Sequence, residues 1–217
     1  MSPQDQATRI IAIRHGETDW NASGRIQGHT DIALNRTGRW QASQLAQALT
    51  DEAVQAVYAS DLARAWATAE AVAQRLGVPL VAETGLRERG FGRFEGATFD
   101  QIERRWPEDA LRWRRRDLDF APGGGEALTG FYARCIEAVE RLARMHRGQA
   151  LVLVAHGGVL DCLYRAANRL PLEAPRHWRL ANTAINRLLH TDQGFTLLTW
   201  DDARHLEDEM PGDEPLS

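Results

Sequence analysis

The stretch Arg9-Ile10-Ile11-Ala12-Ile13-Arg14-His15-Gly16-Glu17-Thr18-Asp19-Trp20-Asn21 decides how the rest of the chain is read. Its first half is a short run of β-formers, long enough for one buried strand. Its second half puts an arginine, a histidine and a glycine where that strand gives way to a loop. In open α/β sheets ligands bind at that edge. Arginine offers a planar donor fork suited to phosphate or carboxylate. A neutral imidazole is a nucleophile or base near pH 7. Gly16 lets the backbone come close to a ligand.

Working outward, a second strand of the same design lies far down the chain. Ala150-Leu151-Val152-Leu153-Val154-Ala155 is the clearest buried strand in the sequence, and it delivers His156-Gly157-Gly158 to its end. Residues 53–59 read as a strand ending at Ser60-Asp61, an expected N-cap for a helix running to Leu76 and closed by Gly77. Arg64 sits one turn into that helix. Residues 79–83 read as a short strand, and a fourth strand-like segment is expected to end at Glu88. Helices are expected over 40–49, 126–147 and 159–168, and a hairpin over 183–190 and 195–200 turning at Asp192-Gln193-Gly194. The long polar connection over 17–35 reads as functional on its length alone. Strands alternating with helices imply a three-layer α/β/α sandwich with a mostly parallel central sheet. One domain is expected over 9–206, with a lid-like insertion at about 90–125 covering the site. Residues 1–8 and the acidic stretch 207–217 read as flexible tails.

The chain has 217 residues, 43% hydrophobic and 26% charged, which suits one globular domain with a proper core. A formal charge of −4 argues against a nucleic-acid partner. No apolar run approaches the ~20 residues that cross a bilayer, and the first residues lack the regions of a signal peptide. Cys135 and Cys162 form no metal or redox pattern and read as reduced cysteines of a cytoplasmic protein. All 26 of the Lys+Arg residues are arginine, which removes Schiff-base chemistry. No metal-site pattern and no Walker loop is present, so positive charge for a phosphoryl group must come from arginine and histidine. Two His, two Arg and one Glu reaching one sheet edge would suit phosphoryl transfer through a captured phosphohistidine.

These residues resemble the histidine phosphatase superfamily, the group that includes cofactor-dependent phosphoglycerate mutases. The resemblance runs from about Arg9 to Asp202. It rests on Arg14-His15-Gly16-Glu17-Thr18 through Trp20-Asn21, and on Arg25-Ile26-Gln27-Gly28. Further matches are Asp31 to Leu34 before Thr37-Gly38, Ser60 to Ala65 with Thr68-Ala69, Leu86-Arg87-Glu88, and Ala155-His156-Gly157-Gly158. It implies that His15 is the nucleophile and that Arg14, Arg64 and His156 hold the phosphoryl oxygens. It implies that Glu88 protonates the leaving oxygen and then takes a proton from water. Thr18, Asn21 and Gln27 would add neutral hydrogen bonds, with Gly28 and Gly157 backbone at the anion. Glu88 must be protonated in the first step; burial should favour that and neighbouring arginines oppose it.

The resemblance admits a phosphatase or a mutase. Family mutases carry a Tyr and a Lys beyond the acid, where this chain has Phe91 and Phe99. The reading is therefore a metal-independent phosphomonoesterase without cofactor, with Phe91, Phe94 and Phe99 forming a less polar leaving-group pocket. The alternatives are a phosphoglycerate mutase, which would use 2,3-bisphosphoglycerate, and a non-catalytic phosphate binder. Trp113-Arg114-Arg115 resembles the mutases' carboxylate-binding arginine pair. The Arg112–Arg116 run reads as a solvated helix face that could also guide an anionic substrate, His29 as a solvent-facing loop residue, and a homodimer is possible.

Overall fold

A computed structural model describes residues 7–207. Strand β1 (Thr8–Arg14) leads into a four-residue helix α1 (Asp19–Ala22) and helix α2 (Arg36–Ala48). Strand β2 (Ala56–Ala59), helix α3 (Ala63–Leu76) and strand β3 (Leu80–Ala82) follow. The insertion contributes helices α4 (Phe99–Arg105) and α5 (Pro107–Arg114). Helix α6 (Leu128–Met145), strand β4 (Ala150–Ala155), helix α7 (Gly157–Asn168) and the hairpin β5 (Ile185–Thr191) and β6 (Gly194–Asp202) complete the fold.

The strands form a six-stranded sheet in the order β3-β2-β4-β1-β5-β6. The first four are parallel to one another, and β5 and β6 run antiparallel at one edge. Side chains alternate faces along a strand, so each central strand feeds two cores. Ile10, Ala12, Leu151, Leu153 and Ala155 pack with Phe131, Val139 and Leu142 of α6 and Val159, Leu160 and Leu163 of α7. Ile11, Ile13, Val152 and Val154 pack with Leu45 of α2 and Ala65, Ala69 and Val72 of α3. This is a three-layer α/β/α sandwich.

Four local readings of the sequence need correction. Thr8 opens β1: it is 1% exposed and its Oγ1 donates to the Ala143 carbonyl at 2.6 Å, so it is no part of a free lead-in. Ala7 is buried as well, and residues 1–6 and 208–217 of the expected tails lie outside the described residues. The second strand begins at Ala56, not residue 53. Asp61 does not cap α3, because its carboxylate is taken by Arg87 at 2.7 and 2.5 Å. Leu62 occupies the cap position, and Asp31 reaches over to accept from Ala63 N at 2.7 Å. No strand leads to Glu88 either. Glu83 accepts from Gly85 N at 2.8 Å and turns the chain into a 3-10 turn over Thr84–Leu86.

Candidate active site

Strands β1 and β4 are direct parallel neighbours, with Arg14 opposite Ala155. His15 and His156 therefore leave the same sheet edge side by side, and His15 N donates to Ala155 O at 3.0 Å. Their ring centroids lie 5.2 Å apart, tilted by 58°. His15 Nδ1 is 2.7 Å from the Gly16 carbonyl. A carbonyl only accepts, so Nδ1 carries the proton and Nε2 keeps its lone pair. Burial, then the Arg14 and Arg64 charges, hold the His15 ring well below the ordinary imidazole pKa. Burial, Arg64 and His15 do the same for His156.

The guanidinium of Arg14 is anchored by Nη1 donating to Leu180 O at 2.5 Å. Arg64, on the first turn of α3 and fully buried, donates from Nη2 to Gly28 O at 2.8 Å and from Nη1 to Thr30 O at 3.0 Å. What remains is informative. Arg14 Nε, Arg64 Nε and both ring nitrogens of His156 are buried without a protein partner. Buried polar atoms are paired in the great majority of cases; Arg14 and Arg64 share a cavity with His15, and the His156 ring lies against the His15 ring. Helix α7 opens at Gly157 beside them, adding its positive end.

A cavity of about 660 Å3 opens onto Arg14, His15 and Arg64. Arg14, His15, Asn21, Gln27, Gly28, Arg64, Glu88 and Gly157 all line it, whereas Thr18 and His156 do not; His156 is fully buried behind His15. Thr18 sits behind the wall as the fully buried cap of α1. Its hydroxyl accepts from Asn21 N at 3.1 Å and lies 3.0 Å from Gln27 Oε1. Thr18 N donates to Asn21 Oδ1 at 3.1 Å, which leaves the Asn21 amide NH2 for the cavity.

Glu88 and Asp161 are the lining carboxylates among the described residues. Glu88 Oε2 accepts from Gly158 N at 3.1 Å and Oε1 from Arg89 N at 2.8 Å. A Cβ on Gly158 would overlap both the Glu88 carboxylate and the Phe131 ring, which explains the glycine. The rival carboxylates are occupied elsewhere: Glu17 by Asn35 Nδ2 at 2.8 Å, Glu83 by Arg141, and Glu95 by the Gln27–Thr30 loop.

The expected aromatic pocket is smaller than the sequence suggested. Phe91 lines the cavity with Trp113, but Phe94 is fully buried in the insertion's own core and Phe99 packs on Trp113 with ring centroids 5.6 Å apart. The expected arginine pair is also absent from the wall. Arg114 pairs with Glu103 at 2.6 Å on the surface and Arg115 is exposed. Arg116, from the same run, faces the cavity and pairs with Asp161 at 2.8 Å. His29 is exposed as expected, yet its Nε2 lies 2.7 Å from the Glu88 carbonyl. Sequence reasoning missed Arg89, Asp161, Arg176, Trp178 and Arg179, which also line the cavity. Adjacency to Glu88 was the available signal for Arg89; the irregular segment around residue 176 carries no periodicity to read.

A model of the histidine phosphatase superfamily (branch 1) matches residues 10–203. The phosphoglycerate mutase-like protein 4 of Arabidopsis thaliana is 40% identical over 205 residues, covering 92% of this chain and 87% of its own. A metal-independent phosphoserine phosphatase of the same plant is 36% identical over 207 residues, covering 94% and 85%. A solved structure of mycobacterial glucosyl-3-phosphoglycerate phosphatase superposes with a TM-score of 0.82 at 32% identity, covering 91% of this chain and all of the other. On its motifs, its fold and these matches, the chain belongs to branch 1 of the histidine phosphatase superfamily.

Proposed function

We propose that this protein hydrolyses phosphomonoesters of small metabolites through a phosphohistidine on His15, without metal or cofactor. The observation that carries the reading is the set of buried, unpaired donors on Arg14, Arg64 and His156 gathered around a histidine whose Nε2 is free. Nε2 attacks phosphorus while the ester P–O bond breaks, and Glu88 gives its proton to the leaving oxygen. Water then attacks phosphorus, Glu88 takes a proton from it, and the P–N bond breaks to release inorganic phosphate. Arg14 and Arg64 neutralise the charge that spreads over the equatorial oxygens, with the neutral His156 ring, Asn21, Gln27 and the backbone at Gly28 and Gly157 adding uncharged contacts.

Hydrolysis is favoured over mutase chemistry by the wall beyond Glu88. Phe91 stands where the family's mutases carry a tyrosine, and Arg114 is engaged by Glu103 away from the cavity. The plant relative named as a phosphoserine phosphatase fits the same reading. The relative named as mutase-like keeps interconversion of 2- and 3-phosphoglycerate, primed by 2,3-bisphosphoglycerate, as the alternative to exclude. No described helix is long and apolar enough to cross a membrane. We assign the protein to the cytoplasm because its two cysteines are buried and free, as in a reducing compartment.

An aryl phosphate assay in EDTA tests the proposal. Turnover is expected to survive the chelator, and His15→Ala should lower it by about 10⁴-fold while abolishing an acid-labile phosphoenzyme. Retained turnover in that variant would reassign the nucleophile. Rapid conversion of 3-phosphoglycerate to its isomer without phosphate release would assign the mutase activity instead.

A further inference from the structure

The loop Gln27–Thr30 touches both halves of this machinery. From one side, the Gly28 and Thr30 carbonyls fix the Arg64 guanidinium at 2.8 and 3.0 Å, which leaves its Nε to the anion. From the other side, the His29 ring holds the Glu88 carbonyl at 2.7 Å. Within the loop Thr30 N donates to Gln27 O at 3.0 Å, and its start is tied by the Thr18 hydroxyl, 3.0 Å from Gln27 Oε1. The His29–Thr30 end is held by Glu95, across the fold in the insertion, while Glu126 lies 3.8 Å from the His29 ring. Glu95 Oε1 accepts from His29 N at 3.1 Å and from Phe91 N at 3.0 Å. Its Oε2 accepts from Thr30 N at 3.0 Å and from Thr30 Oγ1 at 2.6 Å.

Two further observations agree. Gly28 adopts φ +53°, and a Cβ there would run into the Glu95 carboxylate, so loop and carboxylate are packed backbone to side chain. Burial pushes the Glu95 carboxyl up, but the hydrogen bonds from Thr30, His29 and Phe91 together hold it below the ordinary carboxylate value. Those donors therefore meet an ionised acceptor, the stronger kind of hydrogen bond. Glu95 itself does not line the cavity.

We propose that Glu95 is a positioning residue: by pinning the Gln27–Thr30 loop it sets the Arg64 guanidinium against the phosphoryl group and the Glu88 backbone beside the leaving oxygen. The Glu88 half of this inference rests on the phosphatase reading above; the Arg64 half concerns anion binding and stands without it. One carboxylate thus couples the insertion to both the anion cage and the proton donor.

The test compares wild type, Glu95→Gln and Glu95→Ala for inorganic phosphate affinity by calorimetry, aryl phosphate kinetics and melting temperature. Glu95→Ala should lower kcat by about 100-fold, the scale of a misplaced reacting group. It should weaken inorganic phosphate by about 10-fold, as for one charge-assisted hydrogen bond to the anion. Glu95→Gln keeps the volume and one accepting oxygen but turns an NH2 toward the loop donors, so it should fall between. Wild-type kcat and phosphate affinity in Glu95→Gln would overturn the proposal, as would a lowered melting temperature with unchanged kinetics per folded molecule. Should wild type bind phosphate and hydrolyse no ester, the phosphatase reading fails, and the phosphate titrations still decide the Arg64 arm.

Discussion

His15 is useful as a nucleophile only while its ring is neutral, and its surroundings enforce that. Burial and two guanidinium groups disfavour the imidazolium, and the Gly16 carbonyl, which favours it, is the smallest contribution. The sign follows: the ring stays unprotonated at pH values where a free histidine would have gained a proton. The acid limb of kcat/KM, once corrected for the ester's own ionisation, should therefore have its midpoint below 6.5, the ordinary imidazole value. A midpoint at or above that value in a pH–rate profile would mean that the reacting group is not this buried imidazole. His156 carries the same depression and belongs to the same limb. Both histidines were legible in the sequence because each stands at the end of an apolar run that reads as a buried strand. Arg14 and Arg64 were legible through their neighbours. Thr18 was harder, since a threonine before Asp-Trp-Asn serves equally as a helix cap or as an anion ligand, and burial decides for the cap.

At the level of elements, helix α7 and the loop bearing Glu88 meet at Gly158. The Glu88 carboxylate lies where any side chain at 158 would have to go. Gly158→Ala should leave the helix intact, since alanine is the better helix former, yet displace the carboxylate and lower kcat by about 100-fold. Steady-state kinetics beside a circular dichroism melt would separate the two effects; an unchanged kcat would remove Glu88 from the leaving-group side. The sequence brought Glu88 to the site by the wrong element, because the strand inferred before it is a 3-10 turn opened by Glu83. It also could not choose among the arginines at 112–116. That choice depends on how α5 ends: Arg116 adopts φ 54°, and the chain there turns back toward Asp161. Periodicity describes regular elements, and this segment is the irregular end of one.

The whole molecule is two packed faces of one sheet plus a separate small core. Phe94, Ala97, Ile102, Ala110 and Phe120 are buried together in the insertion, apart from both faces of the sheet. Phe94 is fully buried there against Trp106, Trp113 and Phe120. Phe94→Ala should cost about 3–5 kcal/mol of local stability. Native-state hydrogen exchange should show the lost protection within residues 91–120 and leave β1, β4 and α3 unchanged. A uniform loss across the sheet would show instead that insertion and sheet open as one unit. The three layers themselves were readable from strand and helix order, because alternation along β1 and β4 leaves a chain of this pattern few ways to bury both faces.

Strand order has one more consequence. The middle of the sheet is β4, which takes its place between β2 and β1 although it comes after both in the chain. During synthesis, an emerging polypeptide has His15 just past β1 and Arg64 on the helix after β2, with a gap between those two strands until residue 155 has cleared the ribosome. Pairings so distant along the chain form slowly. Ester cleavage is thus withheld until the last central strand is seated, and a nascent fragment ending before it carries half a cage and no chemistry.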